Sequence, residues 1–379
     1  MHSQFTPSQQ AKFFILAGGI DLAPAAVAYL NQACGKRPLT LDDYASTSGI
    51  CLALEHDVWV NAPIAAHNPN MVSAPRYRLD TLDSALCLVD GETGQQLKAR
   101  FCPVPAYAVA RNEHGEPLTK YVNTHADRAR LSPVQGCSMR CKFCDVPFDY
   151  RGRYETLPID RLLAAAAIAI ADPVQPAAHF LISGGTPAPR DFGYLREVYR
   201  QVLAGLIGTP VDIMMTPTPG ILDLDELAAV GVNELSLNLE IWDEAIAQRL
   251  IPEKNRHGKS DNLDFIAAAV DRLGRNRVRS ILMVGLEDPA STLAGVEALA
   301  ALGCVPVLSP FRPDPTTELA SVAPPTAQTM MRVFLDASDI AARHGLKLGP
   351  HCIPCTHNTL TLADGSGDYH YHHRRPNLV

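Results

Sequence analysis

The sequence predicts an α/β fold with a parallel sheet, and two interleaved patterns carry that prediction. From residue 126 onward, short apolar runs occur at 129–132, 179–183, 211–216, 234–239, 278–284, 305–309 and 346–348. Between them lie amphipathic stretches at 159–171, 194–206, 224–230, 263–273, 292–302 and 327–344. The first set has the length of strands, and the second repeats its apolar residues at helical spacing. Several of the second set follow Asp or Pro, which favour helix starts. Each parallel strand pair needs a crossover connection, so regular alternation of this kind implies a parallel sheet, either barrel-like or doubly wound.

Residues 1–125 read differently. Helical patterns at 9–17, and at 25–32 after Pro24, give way to irregular sequence containing proline. Two strand-like runs, 85–89 and 97–101, flank Asp90-Gly91-Glu92-Thr93-Gly94, which reads as a turn. The expected organisation is therefore a small N-terminal α+β domain over 1–125 that covers one end of the sheet domain. The sheet domain itself spans 126–350, and a C-terminal metal-binding segment and tail occupy 351–379.

The chain has 379 residues, 47% of them apolar and 19% charged, a balance that favours a sizeable core over disorder. A net charge of −7 argues against broad nucleic-acid binding, because neutralising phosphates takes an excess of Lys and Arg. No apolar run reaches the ~20 residues needed to span a bilayer. Met1-His2-Ser3-Gln4-Phe5 lacks the basic-then-apolar layout of a signal peptide. The expected location is the cytoplasm, with neither membrane nor nucleic acid as partner.

In that compartment, closely spaced cysteines bind metal more often than they form disulfides. Of the ten cysteines, Cys137, Cys141 and Cys144 form one tight group, and Cys352 and Cys355 form another. Cys34, Cys51, Cys87 and Cys304 read as buried cysteines packing as small apolar groups. The segment Gly136-Cys137-Ser138-Met139-Arg140-Cys141-Lys142-Phe143-Cys144 follows the first candidate strand. Three thiolates on one loop can hold three irons of a cubane cluster and leave the fourth open. A zinc site would need a fourth ligand nearby, and Asp145 is awkwardly placed to supply it.

This loop resembles that of the radical SAM superfamily, C-x3-C-x-aromatic-C. The resemblance implies a [4Fe–4S] cluster on Cys137, Cys141 and Cys144, with S-adenosylmethionine chelated to the open iron. In the family, an electron from the cluster cleaves that cofactor to methionine and a 5′-deoxyadenosyl radical, which takes a hydrogen from the substrate. Phe143 would lie against the adenine. Gly184, Gly185 and Thr186, in Ser183-Gly184-Gly185-Thr186-Pro187, stand where the family has a Gly-Gly-Glu-Pro-like turn contacting the cofactor's amino group. Thr186 replaces the usual Glu, a tolerable departure for a main-chain contact.

Ser236-Leu237-Asn238-Leu239-Glu240 is similar to the ribose-binding strand of the biotin synthase-like branch, with Asn238 and Glu240 two apart on one face. In Ile281-Leu282-Met283-Val284-Gly285-Leu286-Glu287, Leu286 would pack on the adenine, and Leu308-Ser309-Pro310-Phe311-Arg312-Pro313 matches the end of the next strand. Arg256, in the basic loop 253–259, would meet the cofactor's carboxylate. The resemblance implies a radical SAM partial (β/α) TIM-like barrel over about 126–350, with an electron donor such as flavodoxin or ferredoxin as partner.

His351-Cys352-Ile353-Pro354-Cys355-Thr356-His357 follows the last candidate strand and is expected at the same barrel face as the cysteine triplet. The Cys352/Cys355 pair supplies half of a ligand shell, for an auxiliary iron–sulfur cluster or a structural zinc, with a pair of unligated thiols as the third reading. Cys102 is the expected third ligand, with His351 and His357 as competitors. The tail His370-Tyr371-His372-His373-Arg374-Arg375 reads as an exposed, flexible terminus.

Three functions follow. The first is hydrogen abstraction from a small organic substrate, with C–S bond formation at an auxiliary cluster ranked narrowly ahead of other reactions. The second is single-cluster chemistry (rearrangement, ring formation, epimerisation or dehydrogenation) beside a structural zinc. The third is a non-catalytic iron–sulfur scaffold.

Overall fold

The computed structural model describes residues 4–35, 49–68, 74–146 and 154–379. Helix α1 (Pro7–Gly18) starts from a reciprocal capping box, in which Thr6 and Gln9 satisfy each other's backbone N–H groups. Strand β1 (Ile20–Leu22) and helix α2 (Pro24–Ala33) follow, then β2 (Gly49–Leu54), β3 (Val58–Pro63), β4 (Tyr77–Leu82), β5 (Ala85–Asp90) and β6 (Gln96–Phe101). These strands pair in the order β1-β4-β5-β6-β2-β3, antiparallel except for β1 with β4. A bridge between Ile20 and Ile64 brings the two edges together, so the sheet curls nearly closed and protects its edge strands.

The second sheet holds β7 (Val122–His125), β8 (Arg128–Leu131), β11 (His179–Ile182), β12 (Val211–Met215), β13 (Leu235–Leu237), β14 (Val278–Val284) and β15 (Val305–Pro310). Two short strands, β9 (Val134–Gln135) and β10 (Glu155–Thr156), pair separately beside it. The order is β15-β14-β13-β12-β11-β8-β7, parallel from β8 to β15, with β7 added antiparallel as a hairpin edge. Strand order follows chain order without reversal, whereas a doubly wound sheet reverses at a switch point. The sheet is therefore the barrel-like alternative, a partial (β/α) barrel.

The crossovers are α3 (Ile159–Ile170), α4 (Phe192–Gly205), α5 (Leu224–Ala229), α6 (Glu244–Leu250), α7 (Gly258–Leu273) and α8 (Pro289–Ala301), and a further helix, α9 (Ala327–Arg343), follows the last strand. The Asp and Thr residues ahead of four of them act as N-caps. Asp223, Asp243, Asp288 and Thr326 accept from the backbone N–H groups of Glu226, Ile246, Ala290 and Thr329.

Three expectations are corrected by these elements. The barrel sheet starts at Val122, because β7 pairs with β8, so residues 122–125 belong with the barrel and not the N-terminal domain. The run 346–348 is no ladder strand; Gly349 and Leu360 instead donate to Pro306 O and Leu308 O, along the free edge of β15. The tail is not a loose terminus. Val379 exchanges two backbone hydrogen bonds with Phe101, Asn377 bonds Gln175, and Tyr371 donates to Asp57.

The N-terminal domain and the barrel share one core. Phe5, Phe13 and Phe334 meet with ring centroids 5.3–6.0 Å apart, joining α1 to α9. Lys12, fully buried in α1, donates to Thr356 O at 2.9 Å and Thr361 O at 2.6 Å. Burial lowers its pKa to about 7.

Candidate functional site at the carboxyl ends of the strands

The cysteine loop leaves the carboxyl end of β8, the end at which barrel enzymes carry their sites. It is fixed from two sides. On one side lies the turn after β11: Ser138 N–H donates to Thr186 O at 2.9 Å, and Thr186 N–H donates to Cys137 Sγ at 3.2 Å. Gly185 makes this approach possible, since a Cβ there would stand 1.6 Å from Gly136 O and 2.9 Å from Cys137 Cα. On the other side lie the end of α6 and the segment after it: Lys142 N–H donates to Leu250 O at 3.0 Å, and Arg140 N–H donates to Glu253 Oε2 at 3.3 Å.

Cys141 sits in an apolar cluster with Ile241, Ala247, Leu250 and Ile251, and Phe143, Cys144, Met283 and Leu286 pack against it. Phe143 and Leu286, both expected to pack against the adenine, thus share a patch with two of the three cysteines. Burial raises the Cys141 thiol to about 11 and the Cys144 thiol to about 12.

Past β13, Asn238 Oδ1 accepts from Ser236 Oγ at 2.8 Å and from Ile281 N–H at 3.3 Å, which commits that oxygen to the protein. Glu240 lies in the left-handed region (φ 67°), a conformation costing a non-glycine residue about 1–3 kcal/mol. Both of its backbone groups bond β14, to Ile281 O at 2.8 Å and Met283 N at 2.7 Å, which holds it there. The next turn is pinned by Glu287, whose carboxylate accepts from Trp242 N, Asp243 N and Thr292 Oγ1.

The basic side chain at this site is Lys254, which donates to Glu240 Oε1 at 2.8 Å and lines a small cavity with Asn238 and Thr216. Burial opposes its charge, but Glu240 and Cys141 outweigh that and hold its pKa above the ordinary lysine value. Arg256, the expected carboxylate partner, is exposed. Within the basic loop, the turn aims the Lys254 side chain inward to Glu240 and leaves Arg256 exposed.

The Radical SAM superfamily model matches residues 131–300. That stretch runs from the last residue of β8 to α8 and holds the cysteine loop, the Gly184-Gly185 turn, Glu240, Lys254 and Leu286. Residues 131–300 are a radical SAM domain. Its family uses a [4Fe–4S] cluster and S-adenosylmethionine, and the donor set fits: three cysteines on one loop, with a main-chain N–H directed at one sulfur.

No curated protein sequence matches the chain. Among solved structures, the [FeFe]-hydrogenase maturase HydG from Carboxydothermus hydrogenoformans is 16% identical, with a TM-score of 0.44, over 57% of this chain and 52% of that one. Methylornithine synthase is 14% identical, with a TM-score of 0.43, over 64% and 79%. A radical SAM methyltransferase from Sphaerobacter thermophilus is 15% identical, with a TM-score of 0.44, over 75% and 79%. The chain spans about half the length of the hydrogenase maturases it matches.

The C-terminal cysteines lie at the other end of the barrel, which corrects the expectation that they share the radical SAM face. Cys352 and Cys355, joined as a disulfide, come together with Asp127 and His179. Asp127 precedes β8 and His179 opens β11, so both stand at the amino ends of their strands. Cys102 does not join them; its sulfur accepts from Gln175 Nε2 at 3.0 Å and neighbours Cys51. His357 is held by Pro354 O, and His351 packs edge-on against Tyr369. Neither histidine is in the group. Among the described residues, no helix is long and apolar enough to cross a membrane.

Proposed function

We propose that the chain is a radical SAM enzyme that abstracts hydrogen from a small organic substrate using a single cluster on Cys137, Cys141 and Cys144. The observation that carries this reading is the fit of the Gly184-Gly185 turn against the cysteine loop, too close at Gly185 to admit any side chain. When bound, the cluster supplies the electron that cleaves S-adenosylmethionine. The chain's own residues orient and enclose. Phe143 and Leu286 offer the adenine an apolar slot beside Cys141 and Cys144. Lys254 stands ready for the cofactor's carboxylate, and Glu240, with the free amide nitrogen of Asn238, for the ribose hydroxyls. This last pair is one part of the resemblance to the biotin synthase-like branch, which extends over most of the barrel.

Sulfur insertion from an auxiliary cluster loses its support. β8 is four residues long, so its two ends lie about 10 Å apart, and the Cys352/Cys355 pair sits beyond the far end from the cysteine loop. Rearrangement, ring formation, epimerisation and dehydrogenation need no second cluster.

The test is anaerobic reconstitution, reduction with dithionite, and mass-spectrometric detection of 5′-deoxyadenosine. Wild type is expected to produce it, and Cys141→Ala to lose both the iron and the product. Cleavage at the wild-type rate in Cys141→Ala would overturn the site.

A further inference from the structure

The amino-terminal end of the barrel holds a group that the radical SAM reading does not use. Asp127, His179, Cys352 and Cys355 are all buried, at 1%, 0%, 7% and 3% exposure, and each offers a ligand atom within 4.8 Å of the others. Cys355 Sγ lies 3.4 Å from His179 Nε2, and His179 Nδ1 lies 4.0 Å from Asp127 Oδ1. Both carboxylate oxygens of Asp127 and the Nδ1 of His179 lack any hydrogen-bond partner. A fully buried carboxylate without donors is costly, and native proteins almost always pair such a group with a proton donor or a cation.

We infer that these four residues form a closed site for a divalent ion of the zinc class, which ties the C-terminal segment to β8 and β11, the first two parallel strands of the barrel. Two thiolates, an imidazole and a carboxylate are zinc donors, and four protein ligands leave no open position, as in structural sites. A tetrahedron with zinc–ligand bonds of about 2.0–2.3 Å has edges of about 3.3–3.8 Å. The group lies within about 1 Å of that shape once the disulfide is reduced and its sulfurs part. A cubane cluster fits less well. It takes cysteine ligands, of which there are two here, and it would hold them farther apart than these atoms are.

The surroundings show what the ion would join. Ile353, between the two cysteines, packs with Cys51, Ala53 and Trp59 of the N-terminal sheet and with Ala126, next to Asp127. The His372 ring lies on His179 with centroids 4.1 Å apart. The N-terminal sheet, the amino ends of the barrel strands and the C-terminal segment meet around one point. Sequence reasoning found the two cysteines and missed the other two ligands, which stand at matching positions ahead of and at the start of neighbouring parallel strands. Ala178 N–H donates to Asp127 O at 2.7 Å.

The test uses the full chain with Cys137, Cys141 and Cys144 all changed to alanine, so that iron at the first cluster cannot confuse the count. Expressed with zinc and purified anaerobically under reducing conditions, it should hold about one zinc per chain. Cys352→Ser or Asp127→Asn in that background should cut the retained zinc at least tenfold against a competing chelator, whereas Cys102→Ala should leave it unchanged. If those variants fail to fold, cobalt(II) exchanged into the triple variant gives an independent reading. Intense d–d bands with a near-ultraviolet thiolate charge-transfer band support the site, and an octahedral spectrum without that band overturns it. Four irons with matching sulfide, or a metal-free Cys352–Cys355 disulfide that persists in reductant, also overturns it.

Discussion

The contact at Gly185 sets a sharp steric test of the cofactor site. Alanine there places its Cβ 1.6 Å from Gly136 O and 2.6 Å from the carbonyl carbon, atoms of main chain that cannot rotate aside. Gly185 lies outside the left-handed region, so the effect is steric and not conformational. Restoring an ordinary contact means moving the turn or the cysteine loop by about 1.8 Å, at the 1–3 kcal/mol or more typical of overpacking. The same shift removes the Thr186 N–H bond to Cys137 Sγ. Misplacement of a reacting group by 1 Å can cost roughly a hundredfold in rate, so Gly185→Ala should lower 5′-deoxyadenosine formation at least a hundredfold. Reconstituted iron should fall as well. Gly193→Ala is the control: it sits in α4 with nothing within 4 Å of its would-be Cβ, and should match wild type. A Gly185→Ala protein with full iron and wild-type turnover would refute the proposed apposition of turn and cysteine loop.

Other residues make separable predictions. Lys254→Gln should raise the apparent Kd for S-adenosylmethionine roughly tenfold to a hundredfold, the value of a charge-assisted hydrogen bond. Arg256→Ala should stay within about threefold by the same titration, since no such bond is lost; equal effects would undo the assignment of Lys254 over Arg256. Lys12 binds fewer protons when folded than when unfolded between pH 7 and its ordinary 10.5, so its contribution to stability rises with pH across that window. The urea midpoint of wild type minus that of Lys12→Met should therefore increase from pH 7 to 10, and a flat difference would show that the lysine is not buried as described. Cys352→Ala should lower Tm while leaving 5′-deoxyadenosine per bound cluster unchanged; loss of cleavage per cluster would mean that the C-terminal pair acts at the cofactor face.

The barrel was largely legible because its strands are short, apolar and separated by capped amphipathic helices. The first sheet was legible only in part. Every residue of β2 and of β3 is buried, so neither strand shows the alternation that marks a half-exposed strand, while β4 carries Arg78, Asp80 and Thr81 and reads as loop. Helix α6 is seven residues long, too short for a helical period to emerge. At the site, the cysteines, the double glycine and the strand-end Asn and Glu announce themselves by local spacing. The choice of Lys254 over Arg256 depends on a turn two residues long in effect, and composition cannot settle it. The tail's histidines and arginines suggest solvent, yet His372 lies on the buried His179.

The two cysteine groups illustrate why position along a strand matters more than motif. Both are tight, both could hold metal, and both fall near strands of one sheet. One leaves a carboxyl end, where loops are free to vary and open toward solvent, and it keeps one coordination position free for a cofactor. The other packs under the amino ends, where Asp127 and His179 complete a shell and leave nothing open. A site with a free position can do chemistry; a saturated and buried one holds elements together. The same parallel sheet thus separates reaction from reinforcement by the length of its own strands.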